Sequence, residues 1–167
     1  MMKSKQQSIS TTNSMAANKK ENKLLTWVCF LAYLLLLVYV LFFSAGFGRE
    51  DHAEYRYNLT LFQEIGRYYG VGIRTGSWML FWLNVIGNIC VFMPLGMFLP
   101  KLFQRCKNVF FVIVLSLELS LVVEVIQLVS RVGSFDVDDL LLNTIGGMLG
   151  YLVYKAVASI GHLFRKE

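Results

Sequence analysis

Long apolar segments separated by short polar connectors dominate the chain. Four of these segments are long enough to cross the ~30 Å hydrocarbon core of a bilayer as α-helices. They lie at residues 24–47, 78–100, 108–130 and 137–160. Charged residues are rare inside them: the third contains Glu118 and Glu124, and the fourth contains Asp138 and Asp139 at its start and Lys155 near its end. The pattern predicts an all-α fold, a polytopic membrane protein built as a four-helix transmembrane bundle.

The segments outside the four spans are more polar. Residues 1–23 are rich in Ser, Thr, Asn, Gln and Lys and contain no aromatic residue. Because such a segment cannot bury enough apolar surface to offset its chain entropy, we expect a disordered tail there. Residues 24–164 are expected to form one transmembrane domain, with a long outer connector at residues 49–77.

Composition supports a membrane protein and argues against a soluble globule. Of the 167 residues, 56% are hydrophobic and 16% are charged, whereas soluble domains are about 45–50% apolar. The formal net charge of +5 comes from Lys and Arg spread over the termini and connectors. Since they form no basic face with interleaved aromatic residues, we expect no nucleic-acid partner. The three cysteines form no CxxC pair and no disulfide framework.

Positive charge indicates the side of the membrane on which each connector lies. Lysines are concentrated in the N-terminal tail, connector 101–107 carries Lys and Arg without an acid, and the C-terminal end is basic. The positive-inside rule therefore places both termini and connector 101–107 in the cytoplasm. By alternation, connector 49–77 and the turn at residues 131–136 face outward.

Polar residues in the second, third and fourth spans share one depth. At ~1.5 Å per residue, they lie about 8–15 Å below the predicted outer ends of their spans. They are Asn84, Asn88, Glu124 and Asn143. Each span also presents them on one face, and in the third span Gln127 and Arg131 continue the same stripe. We expect the three spans to direct these groups toward one cavity just beneath the external face.

Acidic residues accumulate at this level. An ionised Glu124 at such a depth is costly, so it needs a partner or a proton, and Arg131 lies two helical turns further along the same stripe. In the turn that follows, Asp136 is a good N-cap for the fourth span, and Asp139 falls in its first turn. Capping does not account for every acid. At least one carboxyl group is therefore expected to bind a proton or a cation.

Two interpretations of this constellation stay open. Interhelical hydrogen bonds, worth ~0.6 kcal/mol each, suffice for any single Asn. A site explains better why carboxyl groups, an Arg and three spans converge at one level. Oxygen ligands suit Mg²⁺ or Ca²⁺, but no His or Cys joins the cluster, and we expect no bound metal and no cofactor.

Two further features lie deeper in the membrane. Gly146 and Gly150 form a small-xxx-small pair, which predicts the close approach of a neighbouring helix. Glu118 lies near mid-membrane and off the polar stripe. It is either protonated and packed against the first span, or part of a second, inner polar contact.

Three runs of sequence together resemble the VanZ-like family. They are NVIGNICVFMPLG at residues 84–96, SLVVEVIQ at 120–127 and FDVDDLLLNTIGG at 135–147. A further run, NLTLF at residues 58–62, is similar to the family's Asn-Leu-x-Pro-Phe segment, with Leu61 where Pro is usual. The resemblance covers residues 58–154. It implies that these polar positions recur in the family: Asn58, Asn84, Asn88, Pro94, Glu124, Gln127, Arg131, Asp136, Asp139 and Asn143.

The same resemblance implies a small bacterial integral membrane protein in the cell membrane. The founding member of the family confers low-level resistance to the glycopeptide teicoplanin. We therefore expect a contribution to glycopeptide tolerance. The ligand-binding residues would be Asn84, Asn88, Glu124, Gln127, Arg131, Asp136, Asp139 and Asn143, with Asn58 contributed by the outer connector.

Three mechanisms fit these expectations. In the first, which we favour, the outer-leaflet pocket binds a polar headgroup, either a lipid-linked envelope precursor or the antibiotic itself. In the second, an intramembrane enzyme acts on an envelope lipid with Glu124 as general acid or base. In the third, Glu118 and Glu124 carry protons in a small coupled transporter. Membrane lipid is an expected partner in each case, and a homo-oligomer is compatible with the sequence.

Overall fold

The computed structural model describes residues 2–43 and 55–163, without the side chains of residues 2–20, 22, 43 and 161–163. Five helices and two short strands form the described part of the chain. Their bounds are α1 Met2–Phe43, β1 Tyr57–Asn58, α2 Gln63–Thr75, α3 Met79–Leu102, α4 Val109–Ser130, β2 Phe135–Asp136 and α5 Val137–Leu163, with a 3₁₀ turn at Arg105–Lys107.

Within residues 2–43 and 55–163, four helices are long and apolar enough to cross a membrane, which confirms the predicted fold class. The candidate spans are Lys23–Phe42, Met79–Leu102, Val109–Ser130 and Val137–Ile160. The last three begin and end within two residues of the predicted limits. The predicted end of the first span, at residue 47, lies outside the described residues.

The N-terminal segment differs from the sequence-based expectation. The backbone of α1 is helical from Met2, whereas the composition of residues 1–23 predicts a disordered tail. A helix that is already nucleated can extend into adjoining sequence, because each added residue then gains one further backbone hydrogen bond. The assignment of residues 24–164 to a single domain stays a prediction.

Close backbone contact joins α5 to α3. A Cβ atom on Gly146 would lie 2.3 Å from the carbonyl oxygen of Ile89, and one on Gly150 would lie 1.9 Å from that of Met93. The contact is reciprocal, because a Cβ atom on Gly96 would lie 1.9 Å from the carbonyl oxygen of Gly147. Only glycine permits this spacing. The helix contact predicted from the small-xxx-small pair is therefore present, and α3 is the neighbour.

The first helix packs mainly on α3 through aromatic side chains. The ring centroids of Trp27 and Phe103 are 5.6 Å apart, and those of Phe30 and Phe98 are 5.8 Å apart. Near the middle of the span, the hydroxyl group of Tyr33 donates to the carbonyl oxygen of Val91 at 3.0 Å. This bond satisfies a polar group that would otherwise face hydrocarbon.

The outer connector is anchored to the start of α5. Strand β1 pairs in parallel with β2, so that Tyr57 lies beside Phe135 and Asn58 beside Asp136. The connector then forms α2, which contacts the beginning of α3 through Tyr69 and Trp78, with ring centroids 5.5 Å apart. The described part of the connector thus contains a short helix docked on the predicted outer end of the bundle. Residues 49–54 lie outside the described residues.

The glycine contacts give a first test of this packing. Replacement of Gly150 by Ala is expected to lower stability by roughly 1–3 kcal/mol, because the added methyl group overpacks the α3–α5 interface. The measurement is the thermal unfolding midpoint in detergent. Gly66→Ala is the matched control, since a Cβ atom there meets nothing within 4 Å, and removing a helix-interior glycine adds up to ~1 kcal/mol. Equal midpoints for the two variants would contradict the close contact.

Candidate functional site

Buried polar side chains connect α3, α4 and α5 near the predicted outer end of the bundle. The amide of Asn88 on α3 donates to the carboxyl group of Asp139 on α5 at 2.5 Å. One turn further along α5, the amide of Asn143 donates to the hydroxyl oxygen of Ser120 on α4 at 2.9 Å. We call the following residues the polar core: Asn58, Asn84, Asn88, Ser120, Glu124, Gln127, Asp136, Asp138, Asp139 and Asn143.

Two residues of α4 extend the polar core to other elements. The carboxyl group of Glu124, only 1% exposed, accepts the backbone N–H of Asp136 at 2.9 Å. The amide of Gln127 donates to the carbonyl oxygen of Leu41 at 2.7 Å, which ties α4 to the outer end of α1. Glu124 thus supports the start of α5, and its suggested catalytic role stays a prediction.

The expected pairing of Arg131 with Glu124 is not formed within the described part of the chain. Arg131 ends α4 in the left-handed conformation, with φ of 60°, and this backbone turn directs its side chain away from the α4 stripe. The guanidinium group lies over the ring of Tyr55, 4.8 Å from the ring centroid. Arg131 therefore makes a cation–π contact with the outer connector, and its side chain is exposed.

Asp138 anchors the outer connector, a role that sequence reasoning missed. Its carboxyl group accepts three backbone N–H groups at the start of α2: Phe62 at 2.5 Å, Glu64 at 3.0 Å and Ile65 at 3.2 Å. A fully buried side chain of α5 thus caps a helix 74 residues earlier in the sequence. Phe62 itself has a left-handed backbone, with φ of 66°, and the contact offsets the cost of that conformation.

Asp136 lies in the outer turn just before α5 and is surrounded by polar groups. Its Oδ1 atom accepts the amide of Asn58 at 3.1 Å and the backbone N–H of Asp138 at 2.8 Å. The pKa of Asp136 is raised to about 6, mainly by burial; the hydrogen bonds lower it, and the nearby carboxyl groups of Asp138 and Glu64 add to the rise. The Asp136 carboxyl group therefore titrates close to physiological pH.

Three buried side-chain oxygens have no donor among the described residues. They are Oδ1 of Asn84, Oδ1 of Asn143 and Oγ of Ser116. Asn84 lies one turn before Asn88 on α3, and Asn143 lies one turn after Asp139 on α5. Two amide oxygens thus flank the Asn88–Asp139 hydrogen bond along the bundle axis. A buried acceptor without a donor costs about 1–3 kcal/mol, so both positions favour a ligand that donates hydrogen bonds.

The structure separates Glu118 from the polar core. Its side chain is exposed on the opposite side of α4 from Ser116 and Ser120, which are buried. It lines a groove together with Phe30 and Leu34 of α1, and both roles considered for it stay predictions. Among the described residues, no three His, Cys, Asp or Glu side chains converge in a way that could hold a metal ion.

Comparison with known proteins identifies the family of the chain. A family model described as VanZ/LLP1 matches residues 30–159, which is most of the chain. The chain belongs to the VanZ/LLP1 family. A curated relative, Protein VanZ of Enterococcus faecium, is 28% identical over 128 residues, covering 73% of this chain and 68% of the relative. No solved structure matches the chain.

The VanZ/LLP1 match extends over the entire polar core. It begins inside α1 and ends inside α5, and it includes Asn58 in the outer connector. The resemblance seen in the sequence is therefore confirmed at the level of the family. The ligand-binding role expected for the polar residues stays a prediction, because the observed hydrogen bonds join these residues to other parts of the protein.

The Asp138 anchor generates a test of local stability. In Asp138→Asn, one carboxyl oxygen is replaced by an NH₂ group that faces backbone N–H groups, so at least one of the three hydrogen bonds is lost. Loss of such bonds costs about 1–3 kcal/mol. Hydrogen exchange at residues 62–65 should accelerate by about tenfold or more.

The matched control for this variant is Glu64→Gln. The side chain of Glu64 pairs with Arg67 on the surface of α2, and an exposed pair of this kind contributes less than ~1 kcal/mol. Its exchange rates should stay near those of the unmodified protein. Unchanged protection in Asp138→Asn would show that the anchor does not hold α2.

The raised pKa of Asp136 predicts a pH dependence of stability. The folded protein binds this proton more tightly than the unfolded chain, because the pKa rises from 3.8 to about 6 on folding. The free energy of unfolding should therefore fall as pH rises between those values, by no more than about 3 kcal/mol, and level off above them. Asp136→Asn keeps an Oδ1 acceptor and removes the titration. Parallel unfolding midpoints for both proteins from pH 4 to 7 would refute the shift.

Proposed function

We propose that this VanZ/LLP1 protein lies in the bacterial cell membrane and contributes to tolerance of teicoplanin-type glycopeptides. In this proposal, the outer end of the polar core binds a hydrogen-bond-donating group. That group belongs either to the headgroup of a lipid-linked envelope precursor or to the amine-bearing core of the antibiotic. Family membership and the four apolar helices support the coarse part of the proposal, and the polar core supports the finer part.

The single observation that carries the proposal is a pair of amide oxygens that have no partner among the described residues. Asn84 Oδ1 and Asn143 Oδ1 are buried on two helices on either side of the Asn88–Asp139 hydrogen bond. If these asparagines served only to hold helices together, both ends of each amide would be expected to find partners. A buried acceptor without a donor inside a membrane protein is more readily explained by a ligand that donates a hydrogen bond to it.

The chemistry of the surroundings selects the kind of ligand. Asp136 adds a third acceptor group, whose pKa of about 6 lets it become ionised near neutral pH. Because Asp136 and Asn143 lie seven residues apart, or about 10 Å along a helix, a ligand with several amine, amide or hydroxyl donors would satisfy these oxygens, whereas a phosphate would be repelled by the ionised carboxyl group. We therefore infer that the recognised part of the ligand is a donor-rich amine, amide or sugar group.

The sharpest test separates stability from function at Asn84. Asn84→Leu removes the unpaired Oδ1 atom and breaks no side-chain hydrogen bond among the described residues, so the free energy of unfolding should stay equal or rise. If the oxygen serves a ligand, the same variant should lose the teicoplanin tolerance that the unmodified chain gives a susceptible host, measured as a fall in minimum inhibitory concentration.

Ser116→Ala is the matched control for this experiment. It removes another buried oxygen that has no partner among the described residues. That oxygen faces Gly147 in the contact between α4 and α5. Its stability should likewise be equal or higher, and its tolerance unchanged. Retained tolerance in Asn84→Leu, at normal protein levels, would contradict the proposed site. Lack of any tolerance from the unmodified chain would contradict the function as a whole.

Identification of the ligand requires a direct binding measurement. Native mass spectrometry of the purified protein, with teicoplanin and a lipid-linked cell-wall precursor added in turn, should show one retained adduct. That adduct should be reduced in Asn84→Leu and kept in Ser116→Ala. Retention of neither compound by the unmodified protein would contradict both proposed ligands.

A further inference from the structure

An apolar groove separates α1 from α4 near the predicted cytoplasmic end of the bundle. Its volume is about 650 Å³, within the ~300–1,000 Å³ typical of small-molecule pockets. Side chains from three helices form most of its wall. They include Phe30 and Leu34 of α1, Leu99 of α3, and Phe111, Leu115 and Leu119 of α4. None of them belongs to the polar core.

The groove follows from the way α1 diverges from α4. At the outer end the two helices are joined by the bond from Gln127 to Leu41. At the other end α1 packs on the end of α3, where the ring of Trp27 makes an edge-to-face contact with that of Phe103. The intervening face of α4 stays open, and Leu115 is 38% exposed there. Because this face lies within the candidate spans, the medium that reaches it is hydrocarbon.

Positive charge lies at one end of the groove. Arg105 lines it from the connector between α3 and α4, and its side chain is exposed. The same connector carries Lys101 and Lys107, both exposed, and contains no acidic residue. Basic pockets between transmembrane helices on the cytoplasmic side are typical binding sites for anionic lipid headgroups.

The length of the groove matches one leaflet. From Phe111 to Leu119, which mark its extent along α4, an α-helix rises about 12 Å at ~1.5 Å per residue. This is somewhat less than half of the ~30 Å hydrocarbon thickness. A second helix in the groove would need more space, since a cylinder ~10–12 Å across and of this length occupies roughly one and a half to two times the available volume.

We propose that the groove binds an acyl chain of an anionic phospholipid of the cytoplasmic leaflet, with the lipid headgroup on Arg105. The chain runs along Phe111 and Leu115 toward the middle of the membrane. Glu118 lies at the far end, beside the terminal part of the chain, and contributes no attraction to it. The bound lipid covers the face of α4 that α1 leaves open.

The experiment compares two lipids on the full chain. The purified protein is equilibrated with phosphatidylglycerol and phosphatidylcholine of identical acyl chains, and retained lipid is counted by native mass spectrometry. The unmodified protein should retain phosphatidylglycerol preferentially. Arg105→Gln should lower that retention by about fivefold, the effect expected for one basic residue near an anionic surface. Lys155→Gln, which removes the same charge at a different cavity, should leave it unchanged.

Two variants test the acyl chain itself. Leu115→Trp fills the groove and should lower retention of both lipids, with the unfolding midpoint recorded to confirm an intact fold. Glu118→Leu makes the far end apolar and should keep or raise retention. Equal retention of the two lipids by the unmodified protein, or equal effects of Arg105→Gln and Lys155→Gln, would overturn the headgroup assignment. A dimer that disappears in Leu115→Trp would assign the groove to a second copy and overturn the proposal.

Discussion

Contact between the backbones of α3 and α5 sets the spacing on which the polar core depends. Asn and Asp have short side chains, so the hydrogen bond from Asn88 to Asp139 can form only where the two helices lie close together. The glycines at positions 146 and 150 provide that proximity by removing the side chains that would separate the helices. Packing and polar chemistry are thus consequences of the same interface.

The polar core combines two kinds of groups. Some are fully used in holding the bundle together, such as Gln127, which binds α1, and Asp138, which binds the outer connector. Others keep spare capacity, in particular the amide oxygens of Asn84 and Asn143. In a membrane this division is informative, because spare capacity cannot be satisfied by lipid tails. The spare acceptors are the part of the core on which the proposed function rests.

Much of the fold was predictable because its signals are local. Hydropathy located the spans, and the spacing of Gly146 and Gly150 predicted a close helix contact. Helix geometry also predicted that Asn88, Glu124 and Asn143 face the interior of the bundle, and all three are buried. Their shared depth stays a prediction. The position of Arg131 was not predictable, because a left-handed backbone at the end of α4 redirects its side chain toward Tyr55. The role of Asp138 was missed for a different reason: its partners are backbone N–H groups, which every sequence possesses.

The Asp138 anchor has a consequence for the order in which the protein is assembled. The connector that carries α2 is synthesised between the first and second spans, but the carboxyl group that holds it belongs to the beginning of the last one. The Asp138 anchor therefore cannot form until the final helix has been synthesised, although α2 can already contact the start of α3 through Tyr69 and Trp78. The glycine interface, the polar core and the Asp138 anchor all require α5. A chain truncated before this helix would lack all three.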